Sequence, residues 1–502
     1  MADTPYALFP ASQKPSPPGT LIGPVPPDEL IDISLYLTPR ELPPGTTRAI
    51  VHAADITAVK SFAAAAGLTI TAIEPARRLI RLRGTAKAMQ TTFRTELHHY
   101  QDGAHTFRGR SGMLSMPAAM LPFTQAVLGL DTRKIAAPRI RKRRPGVTAA
   151  SYLPNQVAKL YSCPPNLTGA GQCIALIELG GGYLASDTKT AFAAMGLTPP
   201  EVLAITLDGG ANKPTPDDGA DGEVALDIQV AGGVAPAAKI AVYFTVNTDA
   251  GFVDAITAAT ADSTNNPKII SISWGGPEST WTPQAQSAMN SALADAASAS
   301  ISVFVAAGDN LATDGVPGNK AEVDFPASSP WAIGCGGTLI TVSDNKITAE
   351  TVWNEGSSGT GGGISEAFPI PAFQSAVKLP PNVTTGAPGR GVPDIACNAD
   401  PNSGYQIIVS GQQEVVGGTS AAAPFWAGLT ALINQNAATP AGFFLPQLYA
   451  APNAVRDITK GNNKPTGSEV GYTAAPGWDA CTGLGVPIGT ALLSLLAQPP
   501  VI

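Results

Sequence analysis

No histidine follows His105 in this 502-residue sequence; the four present are His52, His98, His99 and His105. The rest of the chain therefore lacks the one side chain that ordinarily titrates near neutrality. Charge is sparse, at 14% of residues. No apolar run reaches the length of a membrane-spanning helix. The opening residues MADTPYALFPASQKPSPPGT lack the basic start and apolar stretch of a signal peptide. The cysteines Cys163, Cys173, Cys335, Cys397 and Cys481 form no CxxC pair and have no histidine-rich companion segment, which argues against a zinc site. Cys163 and Cys173 are spaced to close a short loop, but mostly free buried thiols are expected.

Glycine and proline are plentiful, with 52 and 46 residues, and imply many tight turns. Charge is unevenly divided. Residues 1–145 carry 19 Lys and Arg against 10 Asp and Glu, a net +9, whereas residues 146–502 carry a net −16. A basic leader thus precedes an acidic body. Proline-rich residues 1–27 read as a flexible tail. Alternation predicts strands at 31–37 and 79–83, and helical spacing predicts helices at 54–66 and 85–97, the second burying Ala86, Met89, Phe93 and Leu97. These elements suggest a small α+β domain over 28–138. Residues 139–151 open with the basic run Arg139-Ile140-Arg141-Lys142-Arg143-Arg144. The run lies between two folded segments, so an exposed, protease-sensitive linker is favoured over a nucleic-acid arm. From 152 to 502 strands and helices alternate, with strands at 174–177, 239–244, 269–273 and 301–306 and a helix at 283–298. That order predicts a mainly parallel sheet flanked by helices, with functional residues at the carboxyl ends of its strands.

Ser420 lies in Gly417-Gly418-Thr419-Ser420-Ala421-Ala422-Ala423-Pro424. The glycines permit a tight turn, and the alanines begin a helix whose first N–H groups can stabilise an anion. A nucleophilic serine needs a partner to take its proton. Without histidine that partner must be a carboxylate, which works best in acid. Glu223 and Asp227 lie four apart in Asp221-Gly222-Glu223-Val224-Ala225-Leu226-Asp227-Ile228-Gln229-Val230, on one face of an apolar helix. Neighbouring buried carboxyls repel, so one retains a proton.

The serine string resembles the nucleophile motif of subtilisins and of the sedolisins, the serine-carboxyl peptidases that keep the subtilisin fold but replace histidine with glutamate. The missing histidine selects the sedolisins, and the further motifs resemble their kumamolisin branch. The resemblance implies a subtilisin-like α/β catalytic domain behind a ferredoxin-like inhibitory prodomain. It implies Ser420 as nucleophile, Glu223 as base, Asp227 as its partner, and Asp309 of Val305-Ala306-Ala307-Gly308-Asp309 as a protonated oxyanion-hole donor. Glu178 and Trp274 would extend the proton network. Ser273 and Gly275 of Ser271-Ile272-Ser273-Trp274-Gly275-Gly276, with Asp324 and Gly362, would bind substrate, Asp324 favouring basic side chains. Asp457 and Asp479 carboxylates with Ile458, Ala475 and Gly477 carbonyls would hold one structural calcium ion. A secreted, acid-acting monomeric endopeptidase zymogen is expected, with protein substrates, its own prodomain as inhibitor, and no nucleic acid or membrane partner. A catalytically silent binding protein and a neutral subtilisin-like hydrolase are the alternatives; the second would need a histidine that the body does not have.

Overall fold

The computed structural model describes residues 5–146, 149–215 and 219–497. It divides into two units. The first comprises Met1–Ile135, Asn247–Ala261 and Thr280–Ala292; the second comprises Ala136–Val246, Asp262–Ser279 and Leu293–Ile502.

In the first unit, alternating apolar positions assemble an antiparallel sheet in the order Thr69–Glu74, Leu79–Thr85, Leu30–Leu37, Thr124–Leu128. Helices Ala53–Ala66 and Ala86–Phe93 supply Val59, Ala63, Met89 and Phe93 to its core. The second helix stops four residues short of the expected end because Arg94 adopts a left-handed conformation, φ 47°. Leu97 is still buried as expected, its N–H held by the Gln90 side chain at 2.9 Å. The flexible tail expected over residues 1–27 is corrected for the described part. Tyr6–Lys14 pairs with Gly112–Pro117, and Thr20–Pro24 pairs with His98–Asp102. Both are edge strands, where prolines interrupt no ladder that must continue outward. The Lys14 ammonium is buried between Asp131 and Asp249, at 3.5 and 3.2 Å, which anchors the segment.

The second unit carries an eight-stranded sheet, and six of its strands run in the order Val202–Thr206, Lys239–Phe244, Cys173–Glu178, Ile269–Ile272, Ser302–Ala306, Ile333–Ser343. These pair in parallel, and Lys346–Val352 closes the edge antiparallel while Ile395–Asn398 joins Ile333–Ser343 in parallel. The continuous apolar strands expected from the sequence fit a sheet covered on both faces. All five cysteines are free thiols, as expected, and four are fully buried.

Helices Ala220–Val234 and Thr419–Asn436 are buried almost throughout and pack against each other. Gly428 permits that approach, since a β-carbon there would lie 2.7 Å from Val234 Cβ and 2.9 Å from the Ala231 carbonyl oxygen. Gly428→Val should therefore separate the two helices. A loss of about 1–3 kcal/mol in urea unfolding is expected.

Candidate active site

Glu223 and Asp227 stand one turn apart on the helix Ala220–Val234, and both are fully buried. Ser420 is the second residue of the helix Thr419–Asn436. Its Oγ donates to Glu223 Oε2 at 2.8 Å, so nucleophile and carboxylate base are within reach of proton transfer. Asp227 accepts from the Ser273 hydroxyl, at 2.8 and 2.9 Å to its two oxygens. Glu178, the last residue of its strand, accepts from Trp274 Nε1 at 2.9 Å. Burial holds all three carboxyls well above the usual carboxylate range, and the charge of Asp227 pushes Glu223 and Glu178 further up. Glu223 Oε1 and Glu178 Oε1 have no hydrogen-bond partner among the described residues, leaving an oxygen on each that can carry a proton.

Asp309 follows the strand Ser302–Ala306. Its Oδ1 accepts from the Thr419 N–H and the Thr419 hydroxyl, each at 2.8 Å, and Oδ2 makes no hydrogen bond. Burial pushes its carboxyl up to about 6, against the pull of the Arg141 cation and the Thr419 hydrogen bonds. A β-carbon on Gly418 would lie 2.8 Å from Asp309 Oδ2, which places that oxygen beside the turn into Ser420. Below its pKa this is a neutral acid able to donate; above it, a carboxylate that repels an oxyanion.

The groove beside these groups is filled by residues 137–142 of the chain itself. Ala137 and Pro138 pair antiparallel with Gly275 and Trp274, and the Arg139 N–H donates to the Ser273 carbonyl at 3.0 Å. The Arg139 carbonyl then accepts from the Ser420 N–H at 3.2 Å. Beyond it, Arg141 and Lys142 pair antiparallel with Gly417 and Val416. The linker expected to be simply exposed is thus held as a strand on both sides of Ser420, and Arg139 is only 4% exposed. Gly418, at φ 102°, must be glycine, because a β-carbon would fall 2.0 Å from the Arg139 carbonyl oxygen.

The Arg139 side chain enters a pocket walled by Asp324, with which it forms an ion pair, and by Asp314 at 3.2 Å. Asp324 was legible from the motif Val323-Asp324-Phe325-Pro326. Asp314 was not, because Thr313-Asp314-Gly315 reads as an ordinary turn. Gly275 leaves room for the Asp324 carboxyl, which a β-carbon would meet at 1.9 Å. Of the other expected substrate residues, Ser273 contributes its carbonyl to the linker and its hydroxyl to Asp227. Gly362 packs against the Ala480 and Val392 carbonyls, and it is Gly361 whose N–H reaches Gly308 O, at 2.7 Å.

The expected calcium ligands lie together in the same unit. Asp457 Oδ2 accepts from the Gly477 N–H at 2.8 Å. Asp479 is buried and held by the Cys481 and Thr482 N–H groups at 2.9 and 3.0 Å. Both carboxylates accept from N–H groups of the loop 475–479, Asp479 from Ala475 and Asp457 from Gly477, and as hard oxygen donors they fit calcium in chemical type.

Comparisons agree with this geometry. Residues 47–133 match the family model described as the pro-kumamolisin activation domain, and residues 209–473 match the subtilase family. Kumamolisin of Bacillus sp. (strain MN-32) is 47% identical over 457 residues, covering 88% of this chain and 83% of that protein. Sedolisin of Pseudomonas sp. (strain 101) is 31% identical over 452 residues, covering 82% and 74%. The solved structure of Pseudomonas sedolisin, a serine-carboxyl proteinase complexed with two molecules of pseudo-iodotyrostatin, superposes with a TM-score of 0.62 at 30% identity, over 69% of this chain and 98% of that one. The expectations of a subtilisin-like fold, a prodomain and serine-peptidase kinship are met together, and the chain belongs to the sedolisin family of serine-carboxyl peptidases, carrying a pro-kumamolisin activation domain.

Proposed function

We propose that this zymogen is an acid-acting endopeptidase whose first substrate is its own linker, cut between Arg139 and Ile140. The observation that carries this reading is the pair of hydrogen bonds at Ser420, Oγ to Glu223 and N–H to the Arg139 carbonyl. Ser420 Oγ attacks the Arg139 carbonyl carbon as its proton passes to Glu223. The oxyanion is received by the Ser420 N–H and by the protonated Asp309. Glu223 returns the proton to the Ile140 nitrogen, the amide bond breaks, and an ester joins Arg139 to Ser420. Water then attacks with Glu223 again taking and returning the proton.

Several features support the finer reading. The chain continues upstream of Ala137, the third residue before the cut, so the groove accepts a substrate whose third residue is not an amino terminus. That favours endopeptidase action over removal of tripeptides. The Asp314–Asp324 pocket favours arginine immediately before the cut. Acid activity follows from Asp309, whose donor proton is present below about pH 6 and lost above it. Secretion and a monomeric state belong to the same reading, since acid chemistry suits a compartment outside a neutral cytoplasm and one chain carries every reacting group. Asp457 and Asp479, with the Ile458, Ala475 and Gly477 carbonyls, would hold one structural calcium ion that braces the segment leading to the last helix.

The deciding experiment is acid incubation of the full chain beside Ser420→Ala, followed by N-terminal sequencing. Wild type should yield a product beginning at Ile140. Ser420→Ala should lose peptide hydrolysis on the order of 10⁴-fold or more and keep the linker intact; processing at the same bond by that variant would sink the reading. Thr419→Val removes a hydrogen bond that favours ionised Asp309. The alkaline limb of the pH–rate profile should move upward by roughly half a unit to one unit, whereas a limb set by another group would stay in place. Chelation should lower the melting temperature of the folded chain. The loss should approach about 2.7 kcal/mol if calcium had stood at about a hundred times its dissociation constant, and Asp457→Asn with Asp479→Asn should be insensitive to the chelator.

A further inference from the structure

Downstream of the bond proposed for cleavage, Arg141 occupies the second position, fixed there by its pairing with Gly417. Its Nε lies 3.3 Å from Asp309 Oδ2, and its Nη2 donates to Asn310 Oδ1 at 2.7 Å. The oxygen it approaches is the one free of hydrogen bonds, since Thr419 occupies Oδ1 on both its N–H and its hydroxyl. The contact therefore falls on the atom that must carry the proton when Asp309 serves the oxyanion.

Among the described residues, the charged or titratable groups facing Asp309 are Arg141, Arg139 and Glu223. Arg141 approaches from the downstream strand. Arg139 approaches from the upstream side, but its guanidinium is already taken by Asp314 and Asp324. Glu223, on the helix behind, acts in the opposite sense to the two cations. Both cations favour the carboxylate form, and Arg141 does so more strongly. An ionised Asp309 can neither donate to an oxyanion nor tolerate one nearby.

We propose that the cleft discriminates against arginine in the second position after the cut, because that side chain clamps the oxyanion acid as a carboxylate, and that Arg141 uses this to make the linker a self-inhibiting substrate. The linker then carries both the bond to be cut and the brake on cutting it. Acid releases the brake by placing a proton on Asp309, and release of the downstream product removes Arg141 from the hole. The inference rests on the serine-carboxyl reading and on cleavage after Arg139.

Two measurements test it. In the full chain, Arg141→Gln should shift the pH midpoint of self-cleavage upward by roughly one unit, with processing about tenfold faster on the alkaline limb and the product still beginning at Ile140. With the processed wild-type enzyme, two peptides that share an arginine before the cut and differ only as Arg or Gln in the second position after it should be compared. The Arg peptide should show a lower kcat with an acid-shifted limb and no rise in KM. Identical limbs for the two peptides would overturn the proposal without touching the parent reading, and this arm requires no variant to fold. A product that does not begin at Ile140 would overturn the placement of the linker and the brake with it, while Ser420-dependent peptide hydrolysis would still stand.

Discussion

Desolvation of carboxyl groups is the constraint on which the active centre rests. Glu178, Glu223, Asp227 and Asp309 are all fully buried. A carboxyl removed from water keeps its proton to higher pH unless a cation or several donors stabilise the charge. Glu178, Glu223 and Asp227 are given few such donors: a Trp274 N–H, the Ser420 hydroxyl and the Ser273 hydroxyl. Asp309 is given more, two bonds from Thr419 and the nearby Arg141, and its carboxyl is correspondingly less raised. The chemistry proposed at Ser420 needs groups that exchange protons in acid, and burial supplies them without an imidazole.

The packing that buries these groups also shapes the groove. Two all-buried helices bring Glu223 to Ser420, and their approach depends on Gly428. The edge Trp274–Pro277 presents its backbone to an incoming strand on one side and pairs with Asp324–Phe325 on the other. One short strand therefore sets both the linker backbone and the acid that meets the Arg139 side chain. Gly275 is required by a neighbour's oxygen, Asp324 Oδ1, whereas Gly418 is required both by its φ of 102° and by the Arg139 carbonyl oxygen.

What could be read from the sequence was what depends on local spacing. Glu223 and Asp227 one turn apart, the glycine turn before Ser420 and the buried strands are all encoded within a few consecutive residues. Asp309 and Asp324 were found through motifs of similar length. The residues that escaped are those whose role comes from a distant partner. Tyr6–Lys14 reads as a proline-rich tail until Gly112–Pro117 supplies its ladder. Asp314 reads as a turn until Arg139 arrives beside it. The basic run 139–144 carried the composition of an exposed linker, and nothing local showed that Arg139 and Arg141 would meet the distant acids Asp324 and Asp309.

A serine-carboxyl site also has to satisfy opposite demands at once. On the proposed reading, Glu223 must be ionised to accept the proton of Ser420, while Asp309 must be protonated to donate to the oxyanion. Burial alone would keep both neutral. Coupling resolves the conflict: in a set of interacting acids the first proton leaves far more easily than the next, because each new charge opposes another. Glu178, Glu223 and Asp227 form such a set, in which a negative charge on Asp227 raises the other two. The Ser420 hydroxyl donates to Glu223 and favours that charge on the base, and the same charge helps Asp309 hold its proton. On the proposed reading, a charge held within this group of buried carboxyls both prepares the base and helps the donor keep its proton.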